Sequence, residues 1–132
     1  MKSKRVLCVE DHVDTAQMIE VFLGQEGYQV VLADTVAEGL RQARAAAFDL
    51  HLVDERLPDG SGIDLIRWIR DFDPETPIVF HSASAQPAFI SQALGAGAQA
   101  FLVKPSDPQE LAAAIALLTG GLTTTTSPAL ER

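Results

Sequence analysis

Cysteine is nearly absent from this chain: Cys8 is the only one among 132 residues. That excludes a disulfide framework, and without Cys/His clusters at metal-ligand spacing it excludes a zinc-type site as well. Cys8 itself lies in an apolar stretch and reads as a buried thiol in a reducing compartment. Long apolar runs are also missing. The longest, Leu111 to Leu118, is too short to cross a bilayer. The basic start Met1 to Arg5 is followed by only Val6 to Val9 before Glu10 and Asp11 interrupt, too short for the apolar core of a signal peptide. Positive charge is scarce, 10 Lys and Arg against 18 Asp and Glu, and the net charge of −8 opposes nonspecific contact with polyanions. The expectation is a cytoplasmic protein with no direct nucleic-acid partner and no membrane partner.

What is present suits one globular domain, with 47% apolar and 21% charged residues. Arg5 to Glu10 reads as a strand, and Thr15 to Gln25 as a helix with Asp14 as its N-cap and Gly27 as its terminator. Tyr28 to Ala33 is a second strand. The capping box Thr35-Val36-Ala37-Glu38 opens a helix to about Ala46. Asp49 to Val53 is a third strand, and Asp59 or Ser61 caps the helix from Gly62 to Asp71. Pro74 and Pro77 frame the loop into strand Ile78 to His81. Pro87 suits the first turn of the next helix, which ends near Gly95 or Gly97. Gln99 to Val103 is the fifth strand. Asp107-Pro108-Gln109-Glu110 then opens a last helix to Gly120. Five βα units in strict alternation predict an α/β fold, (βα)5, with a doubly wound five-stranded parallel sheet. The domain is expected to span 1–120, with 121–132 a flexible tail or the start of a linker.

The ends of the strands carry the chemistry. Strand one ends in Glu10-Asp11, strand three in Asp54, strand four in His81-Ser82 and strand five in Lys104-Pro105. In a parallel sheet these ends share one edge, where open α/β sheets keep their sites. Carboxylates gathered there repel by about 4 kcal/mol per pair at ~4 Å and an effective dielectric near 20. A hard cation such as Mg2+ relieves that repulsion. Asp54 as nucleophile, a metal, the Lys104 ammonium and the Ser82 hydroxyl together suit an incoming phosphoryl group. A helix-capping role for Asp54, or a solvated acidic rim, accounts for these residues singly but not for their coincidence.

From Arg5 to about Leu118 the chain resembles the response-regulator receiver domains of two-component signalling, the CheY-like superfamily. Glu10-Asp11 matches the acidic pair and Asp54 the phospho-acceptor. Ser82-Ala83 matches the hydroxyl position and its small neighbour, Phe101 the aromatic switch position, and Lys104-Pro105 the lysine and its proline. The resemblance implies the flavodoxin-like strand order 2-1-3-4-5. It implies a signalling switch rather than an enzyme, limited to self-catalysed phosphoryl transfer and autodephosphorylation. Asp54 would take a phosphoryl group from a sensor histidine kinase or a histidine phosphotransfer protein. Mg2+ would be held by Asp11, Asp54 and the backbone carbonyl of Arg56, with Glu10 acting through water. Ser82 and Lys104 would close on the phosphoryl oxygens and Phe101 would turn inward, altering the face made by the fourth helix, the fifth strand and the fifth helix. Arg56 and Ser84 would tune the lifetime of the phosphate. Glu10, Ser82 and Phe101 stand where Asp, Thr and Tyr are usual. Two alternatives compete. A phosphorylation-independent pseudo-receiver would act as a binding module, against which the intact acidic pair, Asp54, Ser82 and Lys104 speak. A flavodoxin-like redox protein would need a phosphate cradle where Glu10-Asp11-His12-Val13-Asp14 stands.

The remaining residues divide less sharply. Strand parity predicts that His51 and His81 share the sheet face opposite Asp54 and Ser82, as core histidines satisfied by backbone or by each other. His12 reads as a solvent-facing loop residue and Trp68 as a packing residue. From Gln86 to Leu118 only Lys104, Asp107 and Glu110 are charged. With Leu111, Ile115 and Leu118 inward, Ala112, Ala113, Ala116 and Leu117 face away and form an apolar contact face for a homodimer or an output partner.

Overall fold

The computed structural model describes residues 3–120; the stretch 121–132, expected to be a tail, lies outside them. Five parallel strands form the sheet: β1 (Arg5–Val9), β2 (Gln29–Ala33), β3 (Leu50–Asp54), β4 (Ile78–Ser82) and β5 (Ala100–Val103). Their order is β2-β1-β3-β4-β5, as expected. The intervening helices are α1 (Val13–Gln25), α2 (Val36–Ala45), α3 (Gly62–Phe72), α4 (Pro87–Ala96) and α5 (Pro108–Leu118). A two-residue-stranded hairpin pairs Arg56 with Ser61 and Leu57 with Gly60 in the loop between β3 and α3.

Each strand alternates its side chains between two helical layers. Leu7, Val9, Val53, Ile78 and Phe80 pack with Ile63, Leu65, Ile66 and Ile69 of α3 and with α2 and α4. Val6, Cys8, Leu50, Leu52 and Val79 pack on the other face with Ile19 and Leu23 of α1 and with Leu111 and Ile115 of α5. Both strand faces are apolar, so β1, β3 and β4 read as near-continuous hydrophobic runs. Each fully buried Leu or Ile adds about 2 kcal/mol by removal from water.

The helix starts bear out some of the capping expectations and correct others. Thr35 accepts from the N–H of Glu38 at 3.0 Å, and Asp107 from that of Gln109 at 2.9 Å. Asp14 does not cap α1. His12 does, its Nδ1 accepting from the N–H of Thr15, because the helix starts two residues earlier, at Val13. Ser61 caps α3. Asp59 instead crosses to α2 and accepts from the N–H groups of Val36 and Ala37 at 2.7 and 3.0 Å. Trp68 packs only in part: α3 buries Ile63, Leu65, Ile66 and Ile69 and leaves Trp68 45% exposed.

Among the described residues no helix is long and apolar enough to cross a membrane.

Candidate functional site

The chain delivers its polar groups to one edge because every strand of a parallel sheet ends there. Glu10 follows β1, its N–H bonded to the carbonyl of Ala33 at 2.8 Å. Asp54 is the last residue of β3, and Ser82 the last of β4. Lys104 follows β5, its N–H bonded to the Ser82 carbonyl at 2.8 Å, and the Lys104–Pro105 peptide bond is cis. Gly62 fixes the loop after Asp54. Its N–H donates to the carbonyl of Glu55 at 2.9 Å, and its Cα lies so close to the Asp54 carbonyl oxygen that no Cβ could fit.

Electrostatics then organise the side chains. Lys104 Nζ lies 2.8 Å from Glu10 Oε1 and 2.9 Å from Asp54 Oδ1. Glu10, 3% exposed, also accepts from the N–H of His12 at 3.2 Å, and Asp54 Oδ1 from the N–H of Glu55 at 2.8 Å. Burial pushes the Asp54 carboxyl up to about 6, a rise that the Lys104 bond restrains and the charge of Glu10 reinforces. Burial disfavours the Lys104 ammonium, yet its bonds to Glu10 and Asp54 outweigh that and raise its pKa. These groups line an open cleft of about 710 Å³ together with Asp11, His12, Glu55, Arg56, Ala83 and Ser84.

The expected carboxylates do converge: one oxygen each of Glu10, Asp11 and Asp54 lies within 4.8 Å of the others. Such hard oxygen donors, beside a single ammonium, fit a divalent cation of the Mg2+ type. Arg56 lines the same cleft with its side chain 90% exposed. Ser82 is brought to the same strand edge, 2% exposed, but does not line the cleft. Its hydroxyl donates to Glu55, and it accepts from the N–H of Ser84 at 2.9 Å.

Glu55 is the residue that sequence reasoning missed. Asp54 pairs with His81 in the sheet, so the next residue of each chain, Glu55 and Ser82, fall side by side. The only signal in the sequence is that Glu55 follows a strand-end acid, and strand offset is not readable from that.

The histidines are not a pair. His51 lies opposite Ile78 and His81 opposite Asp54, which sends the two rings to opposite faces of the sheet. His51 is 1% exposed, with its ring 5.7 Å from that of Phe48 and its Nε2 3.7 Å from Asp73 Oδ2. Neither of its ring nitrogens has a hydrogen-bond partner among the described residues. His81 shares the face of α1 and α5, where its Nε2 lies 3.0 Å from Ser106 Oγ. Burial lowers both to about 4, helped at His81 by the charge of Lys104.

On the far side, Phe101 pairs with Phe80 in the sheet and is 37% exposed. Of the four residues expected to face away on α5, Ala113 and Leu117 are exposed and Ala112 and Ala116 are partly covered. Ala112 leans on the α1/α5 core because it adjoins buried Leu111 on the helix surface.

Comparison with known proteins places this arrangement. The family model described as "Response regulator receiver domain" matches residues 6–116. The response regulator protein PilR of Pseudomonas aeruginosa is 38% identical over 107 residues, 81% of this chain and 24% of its own length. The cell cycle transcriptional regulator CtrA of Caulobacter vibrioides is 38% identical over 111 residues, 84% of this chain and 48% of its own. The chain thus spans from about a quarter to half of these relatives. A CheY-like receiver domain protein from Methanospirillum hungatei superposes with a TM-score of 0.87 at 30% identity, covering 91% of this chain and 96% of that one. The receiver domain of the sensor histidine kinase PA1611 from Pseudomonas aeruginosa, solved with magnesium coordinated in its active-site cleft, gives a TM-score of 0.84 at 30% identity, covering 90% and 99%. With its fold, its strand-edge acids and its sequence in agreement, the chain belongs to the response regulator receiver domain family.

Proposed function

We propose that this domain is a phosphorylation-driven switch in which Asp54 accepts a phosphoryl group from a phosphohistidine of a sensor kinase or histidine phosphotransfer protein. The observation that carries this reading is the placement of Asp54: a strand-end carboxylate in an open cleft, held by Lys104 at 2.9 Å and flanked by Glu10 and Asp11. An Asp54 carboxylate oxygen attacks phosphorus, the P–N bond breaks, and the imidazole leaves with its electron pair. The product is an acyl phosphate on Asp54. Lys104 stands where it can neutralise charge on the transferring group. Asp11, Asp54 and the Arg56 carbonyl would hold Mg2+, with Glu10 through water; the cation would shield the phosphoryl oxygens from the acidic cluster. Arg56 and Ser84, which line the cleft, would flank the route of hydrolytic water and tune the lifetime of the phosphate.

Receivers occur within transcriptional regulators such as CtrA and within a sensor kinase such as PA1611. In either setting the readout would be the α4-β5-α5 face, through Phe101, Ala113 and Leu117. The test is intact mass after incubation with acetyl phosphate, with and without Mg2+. A Mg2+-dependent phosphoryl adduct is expected in the native chain and none in Asp54→Asn. Absence of the adduct together with absence of beryllofluoride binding would overturn the reading in favour of a pseudo-receiver.

A further inference from the structure

We propose that Glu55 is a positioning residue that holds the Ser82 hydroxyl away from Asp54, and that its release is the local step coupling phosphorylation to the switch. The proposal rests on the phospho-accepting reading of Asp54. A serine hydroxyl has one proton to donate. Here it is donated to the Glu55 carboxylate, with the Ser84 carbonyl a longer second acceptor at 3.2 Å, while the Ser84 N–H donates to the Ser82 oxygen at 2.9 Å. Ser82 therefore cannot donate to a phosphoryl oxygen on Asp54 until Glu55 lets go.

The surroundings supply both a reason and a route for release. Glu55 lines the cleft beside Asp54, and its own N–H is bonded to the Asp54 carboxylate. A phosphoryl group formed there carries a charge of about −1.5 to −2 and repels a neighbouring carboxylate. Arg56 Nε stands 3.7 Å from the other Glu55 oxygen, on a side chain that is 90% exposed. The displaced carboxylate swings outward onto Arg56, and the freed Ser82 hydroxyl turns to the phosphoryl group. Ser82 lacks the second branch of a threonine, so that rotation meets little steric resistance.

Calorimetric titration with beryllofluoride at saturating Mg2+ tests this on the native chain, Glu55→Gln, Glu55→Leu, Ser82→Ala and the Glu55→Leu/Ser82→Ala double variant. Glu55→Leu is expected to bind about tenfold tighter than the native chain, the scale of one hydrogen bond to a charged group. Glu55→Gln keeps an acceptor without the charge and should fall between them, and its near-identical shape guards against a folding defect. With Ser82 already replaced, Glu55→Leu should change affinity by less than about twofold. Equal affinity of Glu55→Leu and the native chain overturns the proposal. An undiminished gain in the Ser82→Ala background also overturns it, since Glu55 would then act as a charge alone. Binding by Glu55→Leu but not by the native chain would support it in its strongest form. If no chain binds beryllofluoride and acetyl phosphate leaves no adduct, the phospho-acceptor reading falls and takes this proposal with it.

Discussion

Strand β3 buries all five of its residues, whereas β5 leaves Phe101 37% and Val103 36% exposed. The helices beside them differ in the same way: α3 buries five residues, and α4 only Ala93. The carboxylates thus stand on the densest part of the molecule and the expected switch residue on the thinnest. Close packing holds Asp54 and Glu10 in position, which a site that stabilises developing charge requires. Few apolar contacts lower the cost of local rearrangement, which a segment with two states requires. One sheet thereby has a tightly packed end at the carboxylates and a loosely packed end at Phe101.

The largest expected effect comes from breaking the tightly packed end. Gly62→Ala drives a Cβ into the Asp54 carbonyl and should destabilise the fold by more than about 4 kcal/mol in urea denaturation. Leu52→Ala, at a site 1% exposed, should cost about 3 kcal/mol. Phe101→Ala on β5 should cost only about 1 kcal/mol, because the ring is already partly in water. If Phe101→Ala costs as much as Leu52→Ala, the contrast between the two ends fails. Native-state hydrogen exchange sharpens it further: amides of β3 should open only with global unfolding, and those of β5 well before it.

Acid probes the two faces through their histidines. Unfolded histidine takes up its proton near pH 6.5, and folded His51 and His81 resist until about 4. Between those values the unfolded chain holds more protons, so stability falls as pH drops through the window. Asp54 opposes this in part, since its folded value near 6 lets the native state bind a proton first. From pH 7 to 4.5, His51→Leu should lose about 2 kcal/mol less than the native chain in denaturation titrations. An unchanged pH dependence would show that His51 is protonated in the folded state.

The smallest effect on stability belongs to the outer face. Leu117→Glu should change stability by less than about 0.5 kcal/mol. It should nonetheless abolish an exclusion-column shift of the phosphorylated chain that persists in high salt. A phosphorylated chain that stays monomeric at high concentration rules out a homodimer through α5.

Much of this architecture was legible before any coordinates. Alternating β and α patterns, Thr35 and Asp107 as caps, and acids at two strand ends all depend on local periodicity and on strand direction, which a linear sequence encodes. Asp14 was misjudged because α1 starts two residues earlier than its sequence pattern indicates, and a cap depends on that boundary, whereas His12 is exposed as read and takes the cap position. Trp68 packs less than its size suggests because Leu65, Ile66 and Ile69 take the centre of the buried stripe of α3 and leave Trp68 at its edge.

By itself, then, the sequence determined that Asp54, Glu10, Asp11, Ser82 and Lys104 would come to one sheet edge, since parallel strands must end there. Only the tertiary structure decided how neighbouring strands are offset. That offset sends His51 and His81 to opposite faces, and it sets Glu55 against Ser82. Offset arises from the packing of whole strands between two helical layers, and no residue along the chain carries it alone.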